Sequence, residues 1–102
     1  MANEVEIAEI IKHFRRAVEE KYDIVEMKLF GSFARGDYST TSDIDLMVVL
    51  PEVDRSIEED LFNIAYDLEL KHDCVIDVIV LPKNFNVNIP VYRNIQKEGI
   101  AV

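Results

Sequence analysis

A single cysteine, Cys74, excludes an internal disulfide, and its neighbours Val75, Ile76 and Val78 make it read as a small buried thiol rather than a reactive one. Long apolar runs are missing too. The longest, residues 46–50 and 74–81, fall far short of the roughly 20 residues a membrane span needs, and Asp77 interrupts the second. No membrane association is expected. The opening Met1-Ala2-Asn3-Glu4 lacks the basic region and apolar core of a secretory signal, so the cytoplasm is the expected compartment. Basic charge is scarce: eleven Lys and Arg face twenty Asp and Glu, for a net charge of -9, and the basic residues are scattered from Lys12 to Lys97 without a cluster. Nucleic-acid affinity rests largely on neutralising phosphates with a basic face, so direct nucleic-acid binding by this chain is not expected.

What is present suits a folded domain. With 49% hydrophobic and 30% charged residues the chain can bury a core and keep a wettable surface, and 102 residues fit one domain spanning 1–102. Over 5–22, Ile7, Ile10, Ile11, Phe14, Ala17 and Val18 recur at three and four, which predicts an amphipathic helix, with Asn3 and Glu6 as a capping pair at its start. Val25, Met27 and Leu29 alternate with Glu26 and Lys28, the period of a half-buried strand over 24–30.

Residues 31–42 hold two of the three glycines and a polar tract, and predict a loop with at most one helical turn. The apolar run 44–50, ending at Pro51, predicts an interior strand. Ser56 with Glu59 has the form of a capping box for a second amphipathic helix reaching about Lys71. A buried strand over 74–81 stopped by Pro82, and a short helix over 91–98 with Gly99 just past its end, complete the chain. The order predicts an α+β or α/β fold, one mixed β-sheet flanked by helices.

Asp43 and Asp45 are two apart, a spacing that puts both carboxylates on one face of a strand while Ile44 turns to the other. Two like charges about 4 Å apart repel by roughly 4 kcal/mol at an effective dielectric near 20, and a divalent cation offsets that directly. Magnesium takes one or two carboxylates plus phosphate and water oxygens, which is the inventory offered. Asp77 sits amid an apolar strand where a lone buried charge would be costly. If the two strands are neighbours, it completes a three-carboxylate cluster suited to two-metal phosphoryl transfer. Gly31-Ser32 follows the first strand, where a missing side chain lets backbone amides approach a phosphate, and Arg35 is placed to offset triphosphate charge.

Taken singly, these pieces have plainer readings. Gly-Ser pairs are common, Asp-x-Asp suits a solvated edge, and Asp77 could pair with a buried Arg. Tyr38 reads as an exposed loop residue, His13 and His72 as surface or packing residues, and Glu58, Glu59 and Asp60 as an acidic first turn that favours the helix dipole. Phe33, Phe62, Phe85 and Tyr92 fall outside the core faces and are candidates for a partner surface.

The combination is specific. Gly31-Ser32, ten further residues, Asp43-Ile44-Asp45, and Asp77 on a later apolar strand resemble the signature of the DNA polymerase β-like nucleotidyltransferase superfamily. Residues 31–37, Gly-Ser-Phe-Ala-Arg-Gly-Asp, with residues 42–46, Ser-Asp-Ile-Asp-Leu, resemble its minimal nucleotidyltransferase (MNT) branch, and the likeness covers nearly the whole chain. The resemblance implies the polymerase β-like fold, two Mg2+ ions held by Asp43, Asp45 and Asp77, and Asp77 also as base for the acceptor hydroxyl. It further implies ATP as substrate, its β and γ phosphates held by Gly31 and Ser32 with help from Arg35. Larger relatives carry a second domain for the acceptor, so here a partner is expected to bring it. MNT proteins of this kind commonly act as antitoxins beside a HEPN-domain RNase toxin, transferring AMP to a tyrosine of the toxin. Two alternatives stand beside that expectation: a non-catalytic antitoxin that masks the toxin, and the catalytic subunit of a small-molecule nucleotidyltransferase of the aminoglycoside-modifying kind.

Overall fold

The structure, a computed structural model, describes residues 4–39 and 42–102. The capping pair assigned to Asn3 and part of the polar tract at Thr40 and Thr41 lie outside the described residues.

Helix α1 (Glu4–Glu19) forms where the three-and-four spacing of apolar residues predicts it, and buries Ile7, Ile10, Ile11, Phe14 and Val18. Strand β1 (Glu26–Phe30) begins two residues later than its sequence pattern suggests; Met27 and Leu29 are buried while Val25 stays exposed. Within the expected loop the helical turn forms as the five-residue helix α2 (Gly31–Arg35), which closes at Gly36, whose left-handed φ of 83° ends it. Strand β2 (Ile44–Leu50) is interior as expected, with six of its seven residues buried.

The capping box at Ser56 and Glu59 does not form. Helix α3 (Arg55–His72) starts two residues earlier than that box implies, so the capping position falls on Asp54, whose Oδ1 accepts from the Ile57 amide at 2.8 Å. Glu59 instead pairs with Arg55 one turn back, at 3.3 Å. Asp73, at φ 50°, turns the chain out of α3. Strand β3 (Ile76–Pro82) starts two residues later than its apolar run and ends one later, with Pro82 as its last residue. Helix α4 (Pro90–Glu98) ends at Gly99 with an ordinary φ of -71°, so the glycine serves space rather than a left-handed turn: a Cβ there would lie 2.4 Å from the Ile95 carbonyl oxygen. The chain then adds β4 (Ile100–Ala101), a two-residue strand without a sequence signal.

The sheet runs β3-β2-β1-β4, with β1 antiparallel to β2 and β4, and β2 parallel to β3. Strand alternation sorts β2 in two. Ile44, Leu46, Val48 and Leu50 join the core beneath α1 and α3, whereas Met47 and Val49 face α4 and meet Ile95. The mixed sheet flanked by helices agrees with the fold class read from the sequence. No helix among the described residues is long and apolar enough to cross a membrane.

Candidate active site

The three acids meet where β1 ends and β2 and β3 begin. Register pairs Asp45 with Phe30 on one side and with Asp77 on the other, and the Ile44 amide donates to the Val75 carbonyl at 2.9 Å, fixing that register at the strand entrance. Asp45 points with Met47 and Val49, and Asp77 with Ile79 and Leu81, so both carboxylates share the sheet face that α4 covers further along. Asp43, two residues before Asp45, reaches Asp77 through a side-chain hydrogen bond. The expectation that β2 and β3 are neighbours is therefore met.

The reason given for Asp77 needs correction. It is exposed and second in its strand rather than buried in the middle, because β3 starts at Ile76 and lies at the sheet edge. Register with Asp45 places it, not avoidance of a lone buried charge.

Electrostatics mark the cluster as short of positive charge. Burial pushes the Asp45 carboxyl up to about 6, the charges of Asp77 and then Asp43 add to the effect, and Arg35 opposes it. Asp77 is raised too, by burial first and then by its hydrogen bond to Asp43. Among the described residues, no ion pair reaches any of the three.

Gly31 closes the site from the β1 side. It opens α2 at φ 73°, and a Cβ on it would stand 2.1 Å from Asp45 Oδ2, so the carboxylate occupies the space a side chain would need. Ser32 follows in the first turn of α2, its carbonyl accepting from the Gly36 and Asp37 amides. Arg35, in the last turn, is exposed and held between two carboxylates: Nε to Asp37 at 3.1 Å and a terminal nitrogen to Glu98 of α4 at 3.0 Å.

The donor set suits a hard cation, since carboxylate oxygens are what Mg2+ selects and the cluster's mutual repulsion is what such an ion would relieve. Among the described residues, no three or more acidic, His or Cys side chains are set closely enough to hold a metal ion by themselves.

Other residues singled out in the sequence lie elsewhere. His13 lines a groove between α1 and α3, and His72 is half-buried in the last turn of α3. Tyr38 is not the exposed loop residue expected: it is half-buried and stacked on Phe33, with centroids 4.6 Å apart. Phe85 and Tyr92 pack edge to face against the smaller core, and Phe33 against the larger, so of the four aromatics proposed for a partner surface only Phe62 is exposed. Cys74 is half-buried against the core, and burial raises its thiol pKa.

Residues 11–102 match the family described as Nucleotidyltransferase domain, and the chain belongs to that family. A protein of Methanocaldococcus jannaschii, named by inference as a protein adenylyltransferase, is 34% identical over 101 residues, which cover 96% of this chain and all of the relative. A chain of a toxin–antitoxin crystal structure with AMP-PNP superposes with a TM-score of 0.69 at 22% identity, over 93% of this chain and 70% of that one. A chain from the tri-AMPylated Shewanella oneidensis HEPN toxin in complex with an MNT antitoxin gives 0.60 at 20% identity, over 95% and 68%. At those identities the two structures show a shared nucleotidyltransferase fold.

Two features of the site had no sequence signal. Contact between Gly31 and the Asp45 carboxylate depends on β1–β2 register, and the Arg35–Glu98 bridge joins residues 63 apart in the chain.

Proposed function

We propose that this chain is a metal-dependent protein adenylyltransferase that moves AMP from ATP to a tyrosine hydroxyl of a HEPN RNase toxin and so acts as its antitoxin. The observation that carries the reading is the convergence of Asp43, Asp45 and Asp77 beside Gly31, a cation-demanding carboxylate cluster abutting a turn whose glycine leaves the Asp45 carboxylate its space. The adenylyltransferase name of the M. jannaschii relative supports the reaction class. AMP-PNP in one structural neighbour, and an AMPylated HEPN toxin bound to an MNT antitoxin in another, support nucleotide and partner.

In this reading Asp43 and Asp45 hold two Mg2+ ions with Asp77 as third ligand, and the ions supply charge neutralisation for the triphosphate and for the departing pyrophosphate. Gly31 and Ser32 receive the β and γ phosphates at the start of α2, and Arg35 adds a guanidinium at the far end of that turn. The acceptor oxygen bonds to the α-phosphorus as the bond from that phosphorus to the bridging α–β oxygen breaks, and pyrophosphate leaves. Asp77 takes the acceptor's proton. Its exposure leaves it open to an incoming hydroxyl.

Incubation with labelled ATP, Mg2+ and a HEPN-domain protein of the same organism tests this directly. The expected result is a mass increase of one or more AMP units on the partner, abolished by Asp43→Asn/Asp45→Asn. Neutralisation of the partner without any modification, unchanged in that variant, would overturn catalysis in favour of masking. Labelling of an aminoglycoside-type small molecule instead would place the acceptor outside proteins.

A further inference from the structure

Helix α3 carries a second apolar face that the fold does not use. Leu61, Ala65 and Leu68 enter the core, and Asp60 faces the turn after α1, where Tyr22 donates to it and Lys21 lies within 3.9 Å. Phe62, Tyr66 and Leu70, one turn apart at i, i+4 and i+8, stand on neither side and are 46%, 57% and 68% exposed. Three large apolar side chains in one row on a surface helix have the form of a helix-recognition ridge.

The charge around this ridge selects its occupant. Between Glu52 and Asp73 eight acids stand against two bases, so this segment holds -6 of the chain's net charge of -9. Helical geometry puts Glu58, Glu59 and Glu69 along the ridge, Asp73 follows as the residue that ends the helix, and Arg55, the base nearest the ridge's start, is paired with Glu59. Two copies meeting on this face would bring like charges together. A partner with an apolar groove or ridge flanked by Lys and Arg would not, and a protein that binds and cleaves RNA must carry such basic surface.

The ridge has a fixed place relative to the site. Glu69, one residue before Leu70, accepts from the Ile76 amide at 2.8 Å and so ties the last turn of α3 to the residue preceding Asp77. The Leu70 end of the ridge therefore lies at the start of β3, the strand that carries Asp77, while the acids point to the opposite face of the sheet.

We propose that the Phe62-Tyr66-Leu70 ridge, with its acidic fringe, is the docking surface for the basic RNase partner. The proposal rests on the adenylyltransferase–HEPN reading above, and its test separates the two. Affinity for the purified HEPN-domain protein is measured for wild type, Tyr66→Glu/Leu70→Glu and Asp45→Asn, with helical content checked by circular dichroism. The ridge variant is expected to bind at least about 30-fold more weakly, as loss of a central aromatic-aliphatic anchor does, while Asp45→Asn binds as wild type. Glu59→Gln/Asp73→Asn, which leaves the ridge intact, is expected to weaken binding about 3- to 10-fold and to reduce its salt dependence.

Loss of binding in the ridge variant with no AMP transfer by wild type sinks the transferase reading and leaves the docking surface standing. Wild-type affinity and labelling in the ridge variant overturn the docking surface and leave the transferase. No complex with wild type, or a concentration-dependent homodimer that the ridge variant abolishes, also overturns it.

Discussion

The two faces of the sheet are built to different ends. Among the described residues, the cluster that α1 and α3 form with the sheet has fifteen buried members, whereas that under α4 has Met47, Val49 and Ile95, and the strand ends on that face carry Asp43, Asp45 and Asp77. One strand serves both. In β2 the even positions from Ile44 to Leu50 hold the fold together, while the odd ones begin with a carboxylate whose charge disfavours the folded state. Stability and the proposed chemistry are thus separated by a period of two along a single strand.

The comparison breaks first at the large core. Phe14 is fully buried against both helices and the sheet, and Phe14→Ala is expected to cost about 3–5 kcal/mol in urea unfolding. A change below about 1 kcal/mol would mean the α1 face is not the main source of stability. Gly31→Ala comes next. It sets a Cβ against the Asp45 carboxylate and requires φ 73° of an alanine, so about 1–3 kcal/mol of stability is expected to be lost, and AMP transfer to fall by a larger factor than stability explains. Equal losses in the two measurements would reduce Gly31 to a fold residue.

The regular parts of this division were legible in the sequence because they rest on periodicity. Both long helices, the interior strand at 44–50 and the pairing of Asp43 with Asp45 follow from spacings of three to four or of two. What was not legible depends on contacts far apart in the chain. Strand β4 has only two residues and exists through its pairing with β1, and the Gly31–Asp45 contact and the Arg35–Glu98 bridge that border α2 join residues distant in the chain. Asp77 was found for a reason the structure does not support, since its apolar neighbours suggested burial and the open sheet edge removes it. The capping residue of α3 was misplaced by two because Asp54 and Ser56 both have the right chemistry, and only the Ile57 amide decides between them.

The acid face predicts an unusual pH response. Asp45 is raised from 3.8 to about 6 on folding, so its neutral form is favoured in the folded state. Its contribution is complete below about 3.8 and is lost as pH rises through 6. The full shift corresponds to about 3 kcal/mol, which screening at a partly exposed site reduces to about 1–2 kcal/mol. Without metal, Asp45→Asn is therefore expected to be about 1–2 kcal/mol more stable than wild type at pH 8 and indistinguishable from it near pH 3.5, by thermal or urea unfolding. Mg2+ should close the gap at pH 8 by stabilising wild type alone. A variant less stable than wild type at pH 8 would show that Asp45 is already compensated within the chain.

The smallest effect tests where the two faces are joined. Glu98 on α4 holds Arg35 at 3.0 Å, but both side chains are about 40% exposed, so Glu98→Gln should change stability by less than about 1 kcal/mol. Its consequence lies in the site. With Asp37 the bridge keeps the guanidinium on carboxylates, and in the proposed reaction the triphosphate competes with them for it. Weakening one competitor should lower KM for ATP about 2- to 5-fold with kcat unchanged, since the contact is made equally in ground and transition states. Arg35→Ala should raise KM instead. If Glu98→Gln raises KM as Arg35→Ala does, the bridge positions Arg35 for the nucleotide rather than competing with it, and α4 is then a structural part of the acid face rather than its cover.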